Sequence, residues 1–126
     1  MLLRSSTRHQ GGVFIIDCYG RIVMGEETAF LRGKVKDLLS QSRQIVLNLA
    51  DVNYIDSSGI GTLVGLYTSA RGAGAEIKLA NLTTRVKDVL QITKLGLIFE
   101  FYNTTDEAVR AFNQRPEPAV AAQKAG

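Results

Sequence analysis

Two adjacent serines, Ser57 and Ser58, stand between an aspartate and a glycine in the sequence Asp56-Ser57-Ser58-Gly59. A serine hydroxyl can act as a nucleophile beside a base, or it can accept a phosphoryl group. No glycine-x-serine-x-glycine elbow surrounds either serine, and the only histidine, His9, lies in a polar N-terminal stretch. The pattern therefore favours a hydroxyl that is modified over one that catalyses hydrolysis.

The serine pair lies at the predicted start of a helix, because apolar residues follow it at helical spacing, namely Ile60, Leu63, Val64 and Tyr67. Serine and aspartate side chains accept hydrogen bonds from the backbone N–H groups of a first helical turn, so capping is one explanation of the motif. The other explanation starts from Gly59, because an ordinary helix avoids glycine in its first turn. A glycine there leaves a neighbouring hydroxyl accessible. A phosphate there would face the positive end of the helix and present about −1.5 to −2 charges to a partner.

A buried strand is predicted before the serine turn. The run Ile45 to Leu49 is short, apolar and rich in branched side chains, which is typical of a strand covered on both faces. Asp51, Asn53 and Asp56 interrupt the apolar pattern and predict a short acidic turn. We interpret Asp51 as closing that turn and Asp56 as supporting the helix cap, because no third ligand lies nearby to complete a metal site.

The rest of the chain alternates between segments with the two-residue period of strands and segments with the roughly 3.6-residue period of helices. Strands are predicted over 2–7, 13–19, 76–80 and 97–102, with a short piece over 21–24. Helices are predicted from Glu26 to about residue 39, over 84–93, and after a Thr104 to Glu107 capping box. Gly11-Gly12 is a hairpin signal between the first two strands. Together these elements predict an α/β fold with a mixed β-sheet of about four to five strands packed with about four α-helices.

Small residues inside two of the helices call for an explanation. Gly33 in the first predicted helix indicates a close approach by another element. Gly61, Gly65 and Ser69 recur every four residues in the helix after the serine pair. They fit tight packing against the sheet or a neighbouring helix, and they also fit a shallow docking groove.

The amino-acid composition restricts the kinds of function that the protein can have. The 126 residues are 45% hydrophobic, which suits one domain with a single core. The single cysteine, Cys18, cannot form an internal disulfide, is predicted to be a buried small hydrophobe, and leaves no metal-ligand set. The N-terminus lacks the apolar run of a signal peptide, and no run of eighteen apolar residues occurs, so we expect a cytoplasmic protein without membrane contact.

The formal charge of +3 raises the question of nucleic acid. The densest basic group, Arg32, Lys34 and Lys36, shares its predicted helix with Glu26 and Asp37. This mixture indicates a solvated face and not a basic stripe with interleaved aromatics. We therefore expect no direct nucleic-acid binding.

The string VNYIDSSGIGTLVGLY, placed after an apolar strand, resembles the STAS domain of bacterial anti-sigma-factor antagonists. The resemblance covers most of residues 8–113 and implies a STAS-like domain over 1–113. The segment 114–126 holds both prolines and few large apolar residues, which predicts a disordered C-terminal tail. In that family the second serine of an Asp-Ser-Ser-Gly element is phosphorylated by the anti-sigma factor, which is a serine kinase. The resemblance implies Ser58 as the phosphoacceptor, with Ser57 as the rival, because capping alone does not separate them.

The resemblance also implies the function and the partners. It implies an anti-sigma-factor antagonist that is not an enzyme, has no cofactor, and binds an anti-sigma serine kinase with its ATP or ADP when unphosphorylated. A serine phosphatase would reverse the modification, and the freed sigma factor would activate transcription. The implied partner-binding residues are Asp56, Ser57, Gly59, Ile60, Gly61 and Glu26.

Two departures from the family pattern concern partner docking. Asn48 stands where the strand often ends in aspartate, and the segment before the first helix lacks the common glycine-x-leucine-aspartate, so Glu26 is the candidate substitute for that acid. An alternative function is a STAS-like accessory subunit of a transporter ATPase or signalling complex without a phosphorylation cycle. A third is a small-ligand or nucleotide sensor, and the sequence leaves a homodimer open.

Overall fold

The computed structural model describes residues 3–113, which form a mixed sheet of five strands. Their spatial order is β1 (Arg4–Gln10), β2 (Val13–Ile22), β3 (Gln44–Ile55), β4 (Glu76–Ala80) and β5 (Phe101–Tyr102). The helices are α1 (Glu26–Leu39), α2 (Ser57–Gly72), α3 (Thr84–Ile92) and α4 (Thr105–Asn113), with a 3₁₀ turn at Leu95–Leu97. β1 is antiparallel to β2, and the other neighbouring strands are parallel. The predicted α/β fold is confirmed.

The sheet separates two apolar clusters. α1, α2 and α3 pack on one face, where Leu31, Leu63 and Val86 meet strand residues such as Leu47. Of the described helices, only α4 packs on the other face, through Ala108, Val109 and Phe112, against Val13, Ile15, Val46 and Ala80. Successive residues of β3 belong to opposite clusters, as the strand period requires. The predicted coverage of β3 on both faces is correct over this part of the strand.

Both central strands are longer than predicted. β2 continues through Gly20 to Ile22, because Gly20 adopts a φ of 119° and the pairing with β3 shifts register there. β3 continues to Ile55, so Asp51 and Asn53 lie in the strand, and the prediction of an acidic turn closed by Asp51 is wrong. The separate strand predicted over 21–24 is also wrong. The two strands run beyond β4, and Ile22 pairs with Ile55 directly before α2 begins.

The structure confirms two other local predictions, a hairpin and a helix cap, and shortens a predicted strand. The Gly11-Gly12 hairpin is confirmed, since both glycines have positive φ and Gln10 pairs with Val13. The Thr104 cap of α4 is confirmed by the Glu107 N–H donating to Thr104 Oγ1 over 3.0 Å. The strand predicted over 97–102 is reduced to two residues after a 3₁₀ turn.

Lys78 points away from Ile77 and Leu79, as predicted, but α4 covers it and only 1% of the residue is exposed. Its Nζ lies 4.6 Å from the centroid of the Phe112 ring and forms ion pairs with Glu76 and Glu100. Burial would lower the pKa of Lys78, but the hydrogen bonds to Glu100 and Glu76 outweigh it and raise that pKa. Lys78 therefore stays charged beneath α4.

Gly33 has open space around it, because a Cβ built there would meet no atom within 4 Å. The predicted close approach at Gly33 is wrong. Between residues 3 and 113, no helix is both long and apolar enough to cross a membrane. The predicted tail over 114–126 lies outside the described residues.

Candidate functional site

Asp56 is the N-cap of α2 and connects two segments of the chain. Its extended backbone directs the carboxylate over the first turn, where Oδ1 accepts the Gly59 N–H at 2.8 Å. Oδ2 accepts the Met24 N–H at 3.1 Å, from the loop between β2 and α1. These backbone hydrogen bonds, with that of Gly59 the strongest, lower the pKa of Asp56. The carboxylate is therefore ionised at neutral pH and holds the loop against the helix start.

The two serines follow this cap at the first positions of α2. Ser57 is exposed and Ser58 is half-buried. Neither hydroxyl has a hydrogen-bond partner among residues 3–113, although the Ser58 carbonyl accepts the Thr62 hydroxyl at 2.8 Å. The predicted support of the helix cap by Asp56 is therefore confirmed, whereas neither serine side chain caps α2. Neither hydroxyl is therefore needed to hold the start of α2 within the described residues.

Gly59 occupies the buried side of the same turn. A Cβ there would overlap the Ile22 carbonyl oxygen and would lie 2.6 Å from Ile55 Cγ1. The Asp56 N–H also donates to the Ile22 carbonyl, at 3.3 Å. Gly59 thus lets α2 begin in contact with the end of β2, which is a different reason for glycine from the predicted accessibility of the turn.

The loop that precedes α1 contributes a residue that the sequence did not reveal. Met24 donates its N–H to Asp56, and 73% of the residue is exposed. Glu26, the predicted partner contact, is exposed two residues later at the start of α1. No sequence signal marks Met24, because its role depends on a backbone hydrogen bond formed only when β2 and β3 are paired to their ends.

The predicted contacts on α2 fall on two sides of the helix. Ile60 is half-buried and packs against the main core, whereas Gly61 is exposed. Gly65 and Ser69 continue the exposed side, and a Cβ at Gly61 or Gly65 would meet nothing within 4 Å. The explanation by tight packing is therefore wrong for these glycines.

Two further predictions concern Cys18 and a metal site. Burial raises the pKa of the Cys18 thiol to about 12, so this cysteine is the inert hydrophobe that was predicted. Among residues 3–113, no group of three or more histidine, cysteine, aspartate or glutamate side chains could hold a metal ion.

Asn48, one of the departures from the family pattern, joins a polar network on the sheet face that carries α4. Its Nδ2 donates to Asp17 Oδ1 at 2.6 Å, and its Oδ1 accepts Asn81 Nδ2 at 2.9 Å. Arg8 Nε forms an ion pair with the same aspartate at 2.7 Å. An amide at position 48 can donate and accept at once, which an aspartate could not do here.

Comparison with known proteins settles the family. Residues 4–108 match the family model described as the STAS domain. The chain belongs to the STAS domain family. An anti-sigma-B factor antagonist of Listeria monocytogenes is 33% identical to this STAS domain over 90 residues, which cover 68% of this chain and 79% of that protein.

Solved structures of STAS domains share the fold. A crystal structure of a candidate anti-sigma factor antagonist from Thermotoga maritima has a TM-score of 0.78 and 27% identity, covering 85% of this chain and 92% of that one. The phosphorylated form of the Bacillus cell fate determinant SpoIIAA has a TM-score of 0.67 and 20% identity, covering 86% and 99%. At that identity, the second likeness shows the fold alone.

Proposed function

We propose that this STAS domain is an anti-sigma-factor antagonist controlled by phosphorylation of Ser58. Unphosphorylated, it binds an anti-sigma serine kinase that holds ATP or ADP, and this binding frees a sigma factor. Phosphorylation by the same kinase ends the binding, and a serine phosphatase restores it. Relatives named anti-sigma-B factor antagonists support the proposal.

One observation about the site carries the proposal: Asp56 caps α2, and neither serine hydroxyl forms a hydrogen bond with the part of the chain that the structure describes. A hydroxyl that held the helix start would destabilise the domain when modified. A phosphoryl group on Ser58 would instead extend from the positive end of α2, where anions are favoured by about 0.3 to 1 kcal/mol at exposed sites. The fold can therefore accept the group and keep its core.

The partner, in contrast, would meet a changed surface. Phosphate adds about −1.5 to −2 charges at pH 7 beside the ionised Asp56. The phosphate would repel the Asp56 carboxylate and compete with it for the Gly59 N–H, and a displaced carboxylate would also hold the Met24 N–H less well. The loop that carries the exposed Met24 side chain would then be held less firmly against the start of α2. A total penalty of about 3 kcal/mol would weaken partner binding roughly a hundredfold.

The choice between the serines rests on the family motif. Ser57 is the more exposed residue, and geometry alone leaves both hydroxyls available. The second serine of the Asp-Ser-Ser-Gly element is the acceptor in the antagonists that this sequence resembles. We therefore assign the phosphate to Ser58 and keep Ser57 as the rival.

The test uses the anti-sigma serine kinase of the same organism. The purified chain is incubated with that kinase and ATP, and the phosphate is located by mass spectrometry in the wild type, Ser58→Ala and Ser57→Ala. We expect labelling of the wild type and Ser57→Ala, and loss of labelling in Ser58→Ala. Full labelling of Ser58→Ala would refute the site.

Binding provides the second part of the test. Unphosphorylated wild type and Ser58→Ala should bind the kinase with similar affinity, whereas the phosphorylated wild type should bind about a hundredfold more weakly. If the wild type is labelled but keeps its affinity, the partner-switching mechanism fails although the phosphoacceptor is correct.

A further inference from the structure

A groove between α1 and α2 lies away from the serine turn and is lined by basic and apolar side chains. It encloses about 330 Å³, and its lining consists of Arg32, Gly33, Lys36, Leu39, Leu66 and Ser69. Ser69 lies eleven residues after Ser58, which corresponds to about 16 Å along the helix axis. The groove is therefore a separate surface from the phosphoacceptor site.

Both charged side chains that the described residues contribute to this groove are basic. Arg32 and Lys36 are exposed, and neither forms an ion pair or a hydrogen bond with the residues between 3 and 113. They stand four positions apart on α1, where like charges destabilise a helix by about 0.2 to 0.5 kcal/mol. The described residues contribute no carboxylate to the groove lining, so among them the repulsion between the two cations has no compensation within it.

The floor of the groove is apolar and its walls are low. Leu66 is buried and Leu39 is half-buried at the bottom. Gly33 on one wall has no side chain, and a Cβ there would meet nothing within 4 Å, so a partner backbone can come close. A concave apolar floor accepts side chains that protrude from the partner, as in helix-in-groove recognition.

We propose that this groove binds an acidic amphipathic helix of a partner protein. Its apolar ridge would fill the space above Leu39 and Leu66, and its glutamate or aspartate side chains would pair with Arg32 and Lys36. A membrane surface fits less well, because the groove presents no protruding apolar side chain to insert between lipids. The binding does not require Ser58, and Ser58→Ala should bind as the wild type does.

The test uses a designed peptide of about 18 residues, long enough to form a helix. The peptide has leucines at helical spacing flanked by glutamates, and a control peptide has lysine at every glutamate position. NMR spectra of the isotope-labelled full chain should show shifts of the amides of Arg32, Gly33, Lys36 and Ser69 with the acidic peptide. Binding should weaken as salt is added.

The decisive variant is Arg32→Glu/Lys36→Glu. It should weaken acidic-peptide binding at least about tenfold, because two attractions become repulsions. The matched control is Arg85→Glu/Lys87→Glu on α3, which makes the same change in net charge at two exposed positions and should leave the affinity unchanged.

Four results would overturn the proposal. These are no binding of the acidic peptide, equal binding of the lysine peptide, shifts centred on another surface, and equal losses in the two charge-reversal variants. Vesicles rich in phosphatidylglycerol are tested in parallel. If the wild type binds the vesicles through Arg32 and Lys36 but does not bind the peptide, the surface recognises a membrane and the proposal is wrong.

Discussion

The α-carbon of Gly59 lies against the backbone carbonyl of Ile22, without room for a methyl group between them. The atom that blocks the space belongs to the main chain of β2, so a rotamer change cannot relieve a clash. Any larger residue at position 59 must move the start of α2 or the end of β2. The packing of one glycine therefore fixes where the serine turn sits.

Gly59→Ala is predicted to lower the free energy of unfolding by about 1 to 3 kcal/mol, the usual cost of forcing a group into a filled space. Gly61→Ala is the matched control, because a Cβ at Gly61 meets nothing within 4 Å and alanine favours the helix by about 1 kcal/mol. Urea unfolding monitored by circular dichroism should show opposite signs. Equal destabilisation by both substitutions would contradict the packing argument.

Asp56→Asn should keep one of the two hydrogen bonds that the carboxylate accepts and weaken the other. An asparagine side chain has one acceptor oxygen, so it can keep the Gly59 cap but cannot also accept the Met24 N–H in the same way. We expect faster hydrogen exchange at the Met24 amide, with the first turn of α2 still protected. Asp56→Ala, which removes both acceptors, should expose both amides. Unchanged protection of Met24 in Asp56→Asn would show that the loop is held by other contacts.

The ion pair of Arg8 and Asp17 should depend on pH in a defined direction. Burial would raise the pKa of Asp17, but the hydrogen bonds from Arg8 and Asn48 outweigh it and hold that pKa below its usual 3.8. A lowered native pKa stabilises the fold above the unfolded value, and this stabilisation is lost as pH falls through the native value.

Arg8→Ala is predicted to cost about 1 kcal/mol near pH 7, because the Arg8 side chain is 45% exposed and water screens the pair. The difference from the wild type should shrink once the pH drops below 3.8. Arg4→Ala on the same strand is the control, since Arg4 forms no ion pair within the described chain. A difference that stays constant with pH would exclude Asp17 as the group responsible.

Lys78 should tolerate methionine better than alanine. Its acidic partners keep contact with water, with 25% of the Glu76 and 55% of the Glu100 side chain exposed, so losing the cation leaves no sealed charge. Lys78→Met keeps the packed stem and should change the free energy of unfolding by less than about 1.5 kcal/mol. Lys78→Ala leaves a cavity beneath Phe112 and should cost about 2 kcal/mol or more. Thermal unfolding of the two variants tests this order, and equal costs would show that charge dominates.

Local signals were sufficient for most elements of the fold. The Gly11-Gly12 hairpin, the apolar stripe of α1 and the Thr104 cap are each specified within a few residues. The ends of β2 and β3 were not predictable in this way. Gly20 and Asp51 are poor strand residues, and they are accommodated because the two strands pair with each other beyond β4.

At the candidate site, sequence reasoning found the turn but not its internal division of roles. It assigned Asp56 to the helix cap but could not exclude the serines as further caps, because aspartate and serine both favour a helix start. It also could not foresee that Gly59 contacts Ile22, since that contact joins segments far apart in the chain. Both points required the three-dimensional arrangement of β2 against α2.

The division of α2 into a buried glycine and an exposed side has an evolutionary consequence. Gly59, the residue that anchors the helix, differs from the exposed positions of α2, such as Gly61 and Gly65. Duplicated copies of such a gene can therefore accumulate different side chains at the exposed positions while each copy still folds.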